Sequence, residues 1–170
     1  MTTHEFALRL QHACASVMAA EQELTEIDSK FGDADHGLTM TKIAKAISAA
    51  VEASDGGIQT MLDDAAMAVM SLNGGSAVPL WNTWLDGMQE AAPEGDTVDI
   101  PASGAIAAYT GSDEQALFTA AAQAAAKGAE DTRQFVSKFG RAKSYGEKTI
   151  GTPDAGAVSM AYFFQGLAQA

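Results

Sequence analysis

Cysteine, basic residues and long apolar runs are all scarce or missing among the 170 residues of this chain. The single cysteine, Cys14, cannot form an internal disulfide, which excludes a disulfide-rich fold and favours a reducing compartment. Only 10 lysines and arginines stand against 22 aspartates and glutamates, and the formal charge of −12 argues against nucleic-acid and anionic-membrane partners. No apolar run approaches the roughly 18 residues of a membrane span, and the N-terminal stretch has no basic leader. We therefore expect a cytoplasmic protein.

The sequence does contain a clear helical periodicity of apolar residues. At roughly 100–200 residues per domain, residues 1–170 are predicted to form a single domain. Apolar residues recur at steps of three and four, which predicts helices over residues 6–27, from Gly37 to about 53, 58–72, 77–91, 113–139 and from 155 onward. Residues 93–112, apart from one helical turn at 105–109, and residues 141–152 are predicted to be irregular. The predicted fold class is all-α, an antiparallel bundle of six to seven amphipathic helices.

The predicted helix over 113–139 is the longest, and its inward face is expected to hold Leu117, Ala121, Ala124, Gly128, Phe135 and Phe139.

Three aspartates lie close together in the most informative stretch of the sequence. Asp28, Asp33 and Asp35 flank a predicted helix end, and Gly32 and Gly37 allow the chain to bend so that the carboxylates converge. Converging carboxylates repel one another, and oxygen-only ligands favour Mg²⁺, Mn²⁺ or Ca²⁺. An EF-hand is excluded because its glycine and glutamate positions are not matched. The alternative is that the aspartates are helix caps and surface charges.

Two further stretches have both a functional and an ordinary interpretation. Gly74, Gly75 and Ser76 precede a predicted helix whose N-terminus would attract phosphate, although a glycine stop followed by a serine N-cap is common in helical proteins. Arg141 lies with Lys143 and Lys148 in one segment, and these cations either meet phosphates or balance an acidic surface. Asp154 is predicted to cap the last helix.

Together these motifs resemble the nucleotide-binding subunit family of dihydroxyacetone kinase, the DhaL type. The resemblance covers roughly residues 5–92 and 113–170. It is carried by Leu24–Asp28 with Gly32-Asp-Ala-Asp-His-Gly37, by Gly74-Gly-Ser with Pro79-Leu80, and by Gly140-Arg-Ala through Tyr145-Gly-Glu-Lys to Pro153-Asp-Ala-Gly-Ala157. The family fold that this resemblance implies is a closed antiparallel helical barrel, with the magnesium nucleotide bound at one end.

The resemblance also implies the site residues. Asp28, Asp33 and Asp35 would hold two Mg²⁺ ions that bridge the phosphates of ADP or ATP, and they would thereby be the catalytic residues. The nucleotide would be contacted by a further group of residues, namely His36, Thr39, Gly75, Ser76, Arg141, Asp154 and Gly156.

The sequence departs from the family pattern in two places. Its glycine motif is Gly-Gly-Ser-Ala-Val-Pro-Leu where the family generally has Gly-Gly-Ala-Ser-Gly-Pro-Leu, so the hydroxyl is shifted by one position and Val78 replaces a glycine. The middle of the chain is shorter than in typical members. We therefore expect fewer helices there and a more open or differently covered adenine site.

The activity implied is phosphoryl transfer to a small ketose held by a separate DhaK-like subunit, so this chain is expected to be a kinase subunit that is active only with that partner. In the phosphotransferase-linked branch of the family, a phosphohistidine protein recharges the bound ADP. Two alternatives remain open, namely a non-catalytic Mg-nucleotide-binding regulatory or scaffolding module and an acidic bundle without a ligand.

Overall fold

The computed structural model describes residues 1–92 and 113–170, and within these ranges the chain is helical, with no β-strand. Its helices are α1 (Thr3–Ala19), α2 (Glu21–Ser29), α3 (His36–Ala53), α4 (Ile58–Met70), α5 (Ala77–Ala91), α6 (Glu114–Asp131) and α7 (Ala155–Leu167), with 3-10 segments at Thr132–Gln134 and Arg141–Thr149. The all-α fold class is confirmed. The loop predicted over residues 93–112 lies outside the described residues, and the single domain over residues 1–170 stays a prediction.

Helix boundaries agree with the sequence pattern where a local signal marks them. The bounds of α5 are those predicted, and α7 begins after Asp154, whose side chain accepts a hydrogen bond from the Ala157 N–H at 2.8 Å. The single helix predicted over residues 6–27 is two helices, because Ala20, at φ −88° and ψ 3°, leaves the helical conformation between α1 and α2. The apolar stripe continues across this break, which is why periodicity did not reveal it.

The predicted inward face of the helix over residues 113–139 is wrong in its second half. Helix α6 ends at Asp131, Ala124 and Gly128 are exposed, and Phe135 and Phe139 are 63% and 86% exposed. The cause is tertiary, because the Thr132 hydroxyl accepts a hydrogen bond from the Asp154 N–H at 2.8 Å. The chain therefore turns toward the start of α7 at Thr132.

The helices pack around one hydrophobic core. Helix α1 lies between α3 and α7, α3 also packs against α2 and α4, α4 packs against α5, and α7 packs against α6. Trp81 and Trp84 of α5 meet Phe163 of α7 at ring-centroid distances of 5.1 and 5.2 Å, so an aromatic cluster joins these two helices. No helix in the described ranges is both long and apolar enough to cross a lipid bilayer.

Candidate functional site

Residues 28–36 are called the carboxylate loop below; they comprise the last two residues of α2, the connection to α3 and the first residue of α3. Its path depends on two glycines. A Cβ at Gly32 would lie 2.0 Å from Asp28 Oδ1, and one at Gly37 would lie 2.0 Å from the Glu21 carbonyl oxygen. Between them Ala34 adopts φ 59°, an uncommon left-handed conformation for a residue with a side chain. The loop is therefore a tightly constrained turn fixed against α2.

The carboxylate loop brings together Asp28, Asp33 and Asp35, as the sequence predicts. One carboxylate oxygen from each lies within 4.8 Å of the others; Asp28 is half-buried, and Asp33 and Asp35 are exposed. Asp28 Oδ2 accepts hydrogen bonds from the backbone N–H groups of Asp35 at 3.1 Å and His36 at 3.4 Å. These bonds hold the Asp28 carboxylate against the far end of the loop, so the cluster has a fixed inner member and two outer ones.

The cluster receives one cation from the C-terminal part of the chain. Arg141 Nη2 lies 2.8 Å from Asp33 Oδ2, although both side chains remain substantially exposed. Four residues later, the Tyr145 ring meets Phe31 of the carboxylate loop with centroids 5.1 Å apart. The 3-10 segment Arg141–Thr149 therefore touches the carboxylate loop at one polar and one apolar point.

His36 connects the carboxylate loop to α7. Its Nε2 lies 3.3 Å from the hydroxyl of Ser159, which is only 1% exposed and donates to the Gly156 carbonyl at 2.8 Å. Burial lowers the pKa of His36, while the nearby charges of Asp28 and Asp154 oppose that shift. The imidazole therefore favours its neutral form and lies between the carboxylate loop and the first turn of α7.

The first turn of α7 contains two more of the predicted site residues. Asp154 is exposed and occupies the N-cap, where its backbone N–H donates to the Thr132 hydroxyl. Gly156 is half-buried, and a Cβ there would lie 3.1 Å from Asp154 Oδ1. The structure thus gives Asp154 a capping role at the start of α7.

The glycine turn before α5 reaches the same end of the bundle through α3. A Cβ at Gly74 would lie 3.4 Å from Thr39 Cγ2, and Thr39 is buried one turn into α3. Gly75 and Ser76 are exposed at the start of α5. Ser76 occupies the N-cap position of α5, as the sequence predicts, but its backbone is already helical, at φ −61° and ψ −18°, and its side chain makes no capping hydrogen bond.

Three residues with close contacts to the site were not predicted from sequence, namely Phe31, Tyr145 and Ser159. Tyr145 lies inside a motif that carries the family resemblance, and Phe31 lies between the two parts of the acidic motif, so their positions were a usable signal. Ser159 carried no signal, because a serine within an apolar helix is usually explained by a hydrogen bond to its own helix. Its contact with His36 is visible only in three dimensions.

Comparison with known proteins agrees with the sequence and the fold. The sequence profile of the DAK2 domain matches residues 30–110 and 97–169. An L-erythrulose kinase of Pectobacterium atrosepticum is 34% identical over 197 aligned positions, which include 93% of this chain and 33% of that enzyme. The PEP-dependent dihydroxyacetone kinase, ADP-binding subunit DhaL, of Escherichia coli is 28% identical, with 92% of each chain covered.

A solved structure supports the same fold. The dihydroxyacetone kinase from C. freundii in complex with AMP-PNP and Mg²⁺ superposes with a TM-score of 0.65 at 22% identity, covering 96% of this chain and 33% of that one. The chain thus spans about a third of the length of the erythrulose kinase and of the C. freundii enzyme. It belongs to the DAK2 domain family, as a DhaL-type member.

Proposed function

We propose that this chain is the nucleotide-binding subunit of a dihydroxyacetone-kinase-like enzyme of the cytoplasm. It would bind ADP or ATP with Mg²⁺ and would transfer a phosphoryl group to a small ketose held by a partner subunit. The observation that carries the proposal is the convergence of Asp28, Asp33 and Asp35 within 4.8 Å beside Arg141. The names of the relatives, an ADP-binding subunit and an erythrulose kinase, support the same class of activity.

The donor set of the carboxylate loop fits Mg²⁺. All three groups are carboxylates, the hard oxygen ligands that this ion prefers, and two of them are exposed, which leaves room for water and phosphate oxygens. Two backbone hydrogen bonds to Oδ2 hold the Asp28 carboxylate in place, so it is a fixed member of this donor set. Three carboxylates this close repel one another, and cation binding would relieve that repulsion.

Each site residue has a distinct role in this proposal. Asp28, Asp33 and Asp35 would hold two Mg²⁺ ions, which when bound neutralise phosphate charge and orient the transferred group. Arg141, already beside Asp33, would bind a phosphate oxygen. Gly75 and Ser76 would present a backbone N–H and a hydroxyl at the start of α5.

The remaining predicted contacts surround the nucleotide from α3 and α7. His36 and Thr39 lie in the first turns of α3, while Asp154 and Gly156 lie in the first turn of α7. The contact between His36 and Ser159 holds these two helix starts together. We infer that they border the nucleotide, with Asp154 and Gly156 on the side of the base.

The proposal requires a partner that supplies the acceptor, in keeping with a DhaK-like ketose-binding subunit. A phosphohistidine protein would be a second partner if ADP stays bound and is recharged in place. Two relatives favour this branch, and the alignments cover 92% and 85% of their lengths: the DhaL of Escherichia coli belongs to a PEP-dependent kinase and that of Lactococcus lactis to a PTS-dependent one.

A non-catalytic Mg-nucleotide-binding regulatory or scaffolding module is the second candidate, and Val78 is the observation that favours it. Val78 is buried at the start of α5, and its Cγ2 would lie 2.6 Å from a Cβ at Gly74. A buried valine side chain therefore fills space where the family generally has glycine. The two candidates separate when this chain is mixed with a ketose-binding subunit, since only the kinase yields sugar phosphate.

Thermal unfolding with Mg²⁺ and ADP tests the binding step that both candidates share. At about 100 times its dissociation constant, a ligand that binds only the folded state adds roughly 2.7 kcal/mol to the free energy of unfolding. We expect this stabilisation in the wild-type chain and its loss in Asp33→Asn. Asp63→Asn, an exposed aspartate on α4, is the matched control and should keep it. An unchanged melting temperature in the wild type would leave only the ligand-free acidic bundle.

A further inference from the structure

The 3-10 segment Arg141–Thr149 is anchored at its C-terminal end, at Thr149. Thr149 is buried, its hydroxyl donates to the Gly146 carbonyl at 2.9 Å, and it accepts a hydrogen bond from the Ser137 N–H at 3.0 Å. Between this anchor and Tyr145 lies Gly146, at φ 57° and ψ −133°, which breaks the helical geometry of the segment. The residues before Gly146 are therefore not positioned by the Thr149 anchor alone.

A second glycine precedes Arg141. Gly140 adopts φ 63°, a conformation that strongly favours glycine, so residues 141–145 lie between two glycines. Arg141 itself is 70% exposed in its side chain and makes its ion pair with a partly exposed carboxylate. Such a pair contributes little on its own, because water and salt screen it.

The contact between Tyr145 and Phe31 is an attraction between the two segments that water and salt do not screen as they screen the ion pair. The two rings lie 5.1 Å apart with their planes inclined by 58°, a geometry in which aromatic rings attract each other independently of charge. Phe31 lies two residues before Asp33 on the carboxylate loop, and Tyr145 lies four residues after Arg141. The ring contact therefore joins the segment that carries Arg141 to the loop that carries the carboxylates, independently of the ion pair.

We propose that Phe31 and Tyr145 are positioning residues that keep Arg141 at the nucleotide site when its ion pair with Asp33 is exchanged for one with a nucleotide phosphate. This inference rests on the proposed function. An ion held by Asp33 would compete with Arg141 for the same carboxylate, and the guanidinium would then be free to bind a nucleotide phosphate. The ring contact, which carries no charge, persists through that exchange and limits how far Arg141 moves.

Calorimetric titration of the full chain with Mg·ADP, and with Mg·pyrophosphate as a probe that has no base, tests this inference. Tyr145→Ala is expected to weaken both ligands by roughly two- to tenfold, the range of aromatic pair energies. Tyr145→Phe keeps the ring and should bind like the wild type. Phe139→Ala, which removes an 86% exposed ring near the same segment, is the matched control and should also be unchanged.

Two further measurements separate positioning of Arg141 from other roles of the ring. Binding of Mn²⁺ alone, followed by electron paramagnetic resonance, should be the same in Tyr145→Ala as in the wild type, because the three carboxylates are intact. In an Arg141→Ala background, Tyr145→Ala should cause no further loss of Mg·ADP affinity, because the group it positions is gone.

Several results would overturn the inference. These are wild-type Mg·ADP affinity in Tyr145→Ala, a loss that persists in the Arg141→Ala background, and a loss confined to ADP that spares pyrophosphate, which would mean that the ring stacks on the base. The proposed function fails in a different way, because the wild-type chain itself would then bind neither Mg·ADP nor Mg·pyrophosphate.

Discussion

Nε2 of His36, at the start of α3, lies 3.3 Å from the hydroxyl of Ser159, which is buried in α7. This contact joins the carboxylate loop to the first turn of the last helix. It also places an imidazole in a half-buried position among carboxylates, where burial disfavours its charged form and the neighbouring charges favour it. The balance of these effects can be measured without any ligand.

We predict that His36 makes the ligand-free protein less stable as the pH falls. Burial lowers the pKa of His36 in the folded state, and the opposing charges of Asp28, Asp35 and Asp154 do not reverse this shift. The unfolded chain therefore binds a proton more readily, and stability is lost as the pH falls from the ordinary histidine pKa toward the lower folded one.

Urea unfolding of the wild type and of His36→Gln between pH 8 and pH 5 measures this effect. The wild type should lose more stability over that range than the variant, which lacks the titrating group. Parallel pH profiles for the two proteins would contradict the prediction, because every other titrating group is common to both.

Gly37→Ala should destabilise the fold. A Cβ at Gly37 would lie 2.0 Å from the Glu21 carbonyl oxygen and 2.3 Å from Thr25 Oγ1, so α2 and α3 would have to separate. Overpacking of this kind costs about 1–3 kcal/mol or more in the free energy of unfolding. Gly87→Ala is the control, since nothing lies within 4 Å of a Cβ there. Alanine in a helix interior should raise the free energy of unfolding by roughly 0.5–1 kcal/mol relative to glycine. If Gly37→Ala had the same denaturation midpoint as the wild type, the close approach of α2 and α3 would be contradicted.

Asp35→Asn should stabilise the ligand-free protein and abolish its response to Mg·ADP. Removing one of three clustered charges relieves repulsion, and because Asp35 is exposed the gain should be less than about 1 kcal/mol. The same substitution removes a proposed metal ligand. Melting curves with and without Mg·ADP measure both effects, and a variant that is stabilised by the nucleotide as strongly as the wild type would exclude Asp35 from the site.

Cys14 should be unreactive in the folded protein. Burial raises the pKa of Cys14 to about 12, so little of the nucleophilic thiolate exists near neutral pH. A chromogenic thiol reagent at pH 8 should modify the native chain at least roughly 100-fold more slowly than the chain unfolded in urea. Rapid modification of the native protein would show that α1 opens readily at this position.

Much of the fold could be predicted because its signals are local. The apolar periodicity predicts the helices from α3 to α5, and Asp154 marks the start of α7 as its capping side chain. The end of α6 could not be predicted from the same pattern, since Phe135 and Phe139 continue the helical spacing while Thr132 bonds to the backbone of Asp154. That bond depends on where α7 lies and has no counterpart in the local sequence.

The candidate site divides in the same way. Asp28, Asp33 and Asp35 are close in sequence, and the glycines between and after them indicate a bent loop, so their convergence could be expected before it was seen. The residues that contact this loop could not be predicted from the sequence. Arg141 and Tyr145 reach it from the other end of the chain, and Ser159 reaches His36 from inside a helix that shows only an apolar pattern.

By itself, the amino-acid sequence determined the helical class, the acidic loop and the membership of the family, because periodicity, turn residues and motif spacing act within a few residues of one another. Only the tertiary structure decided that the arginine pairs with the second aspartate of the loop, that two aromatic rings join these segments, and that a buried serine meets the histidine. These contacts form between distant parts of the chain, and their geometry follows from how the helices pack rather than from any local preference.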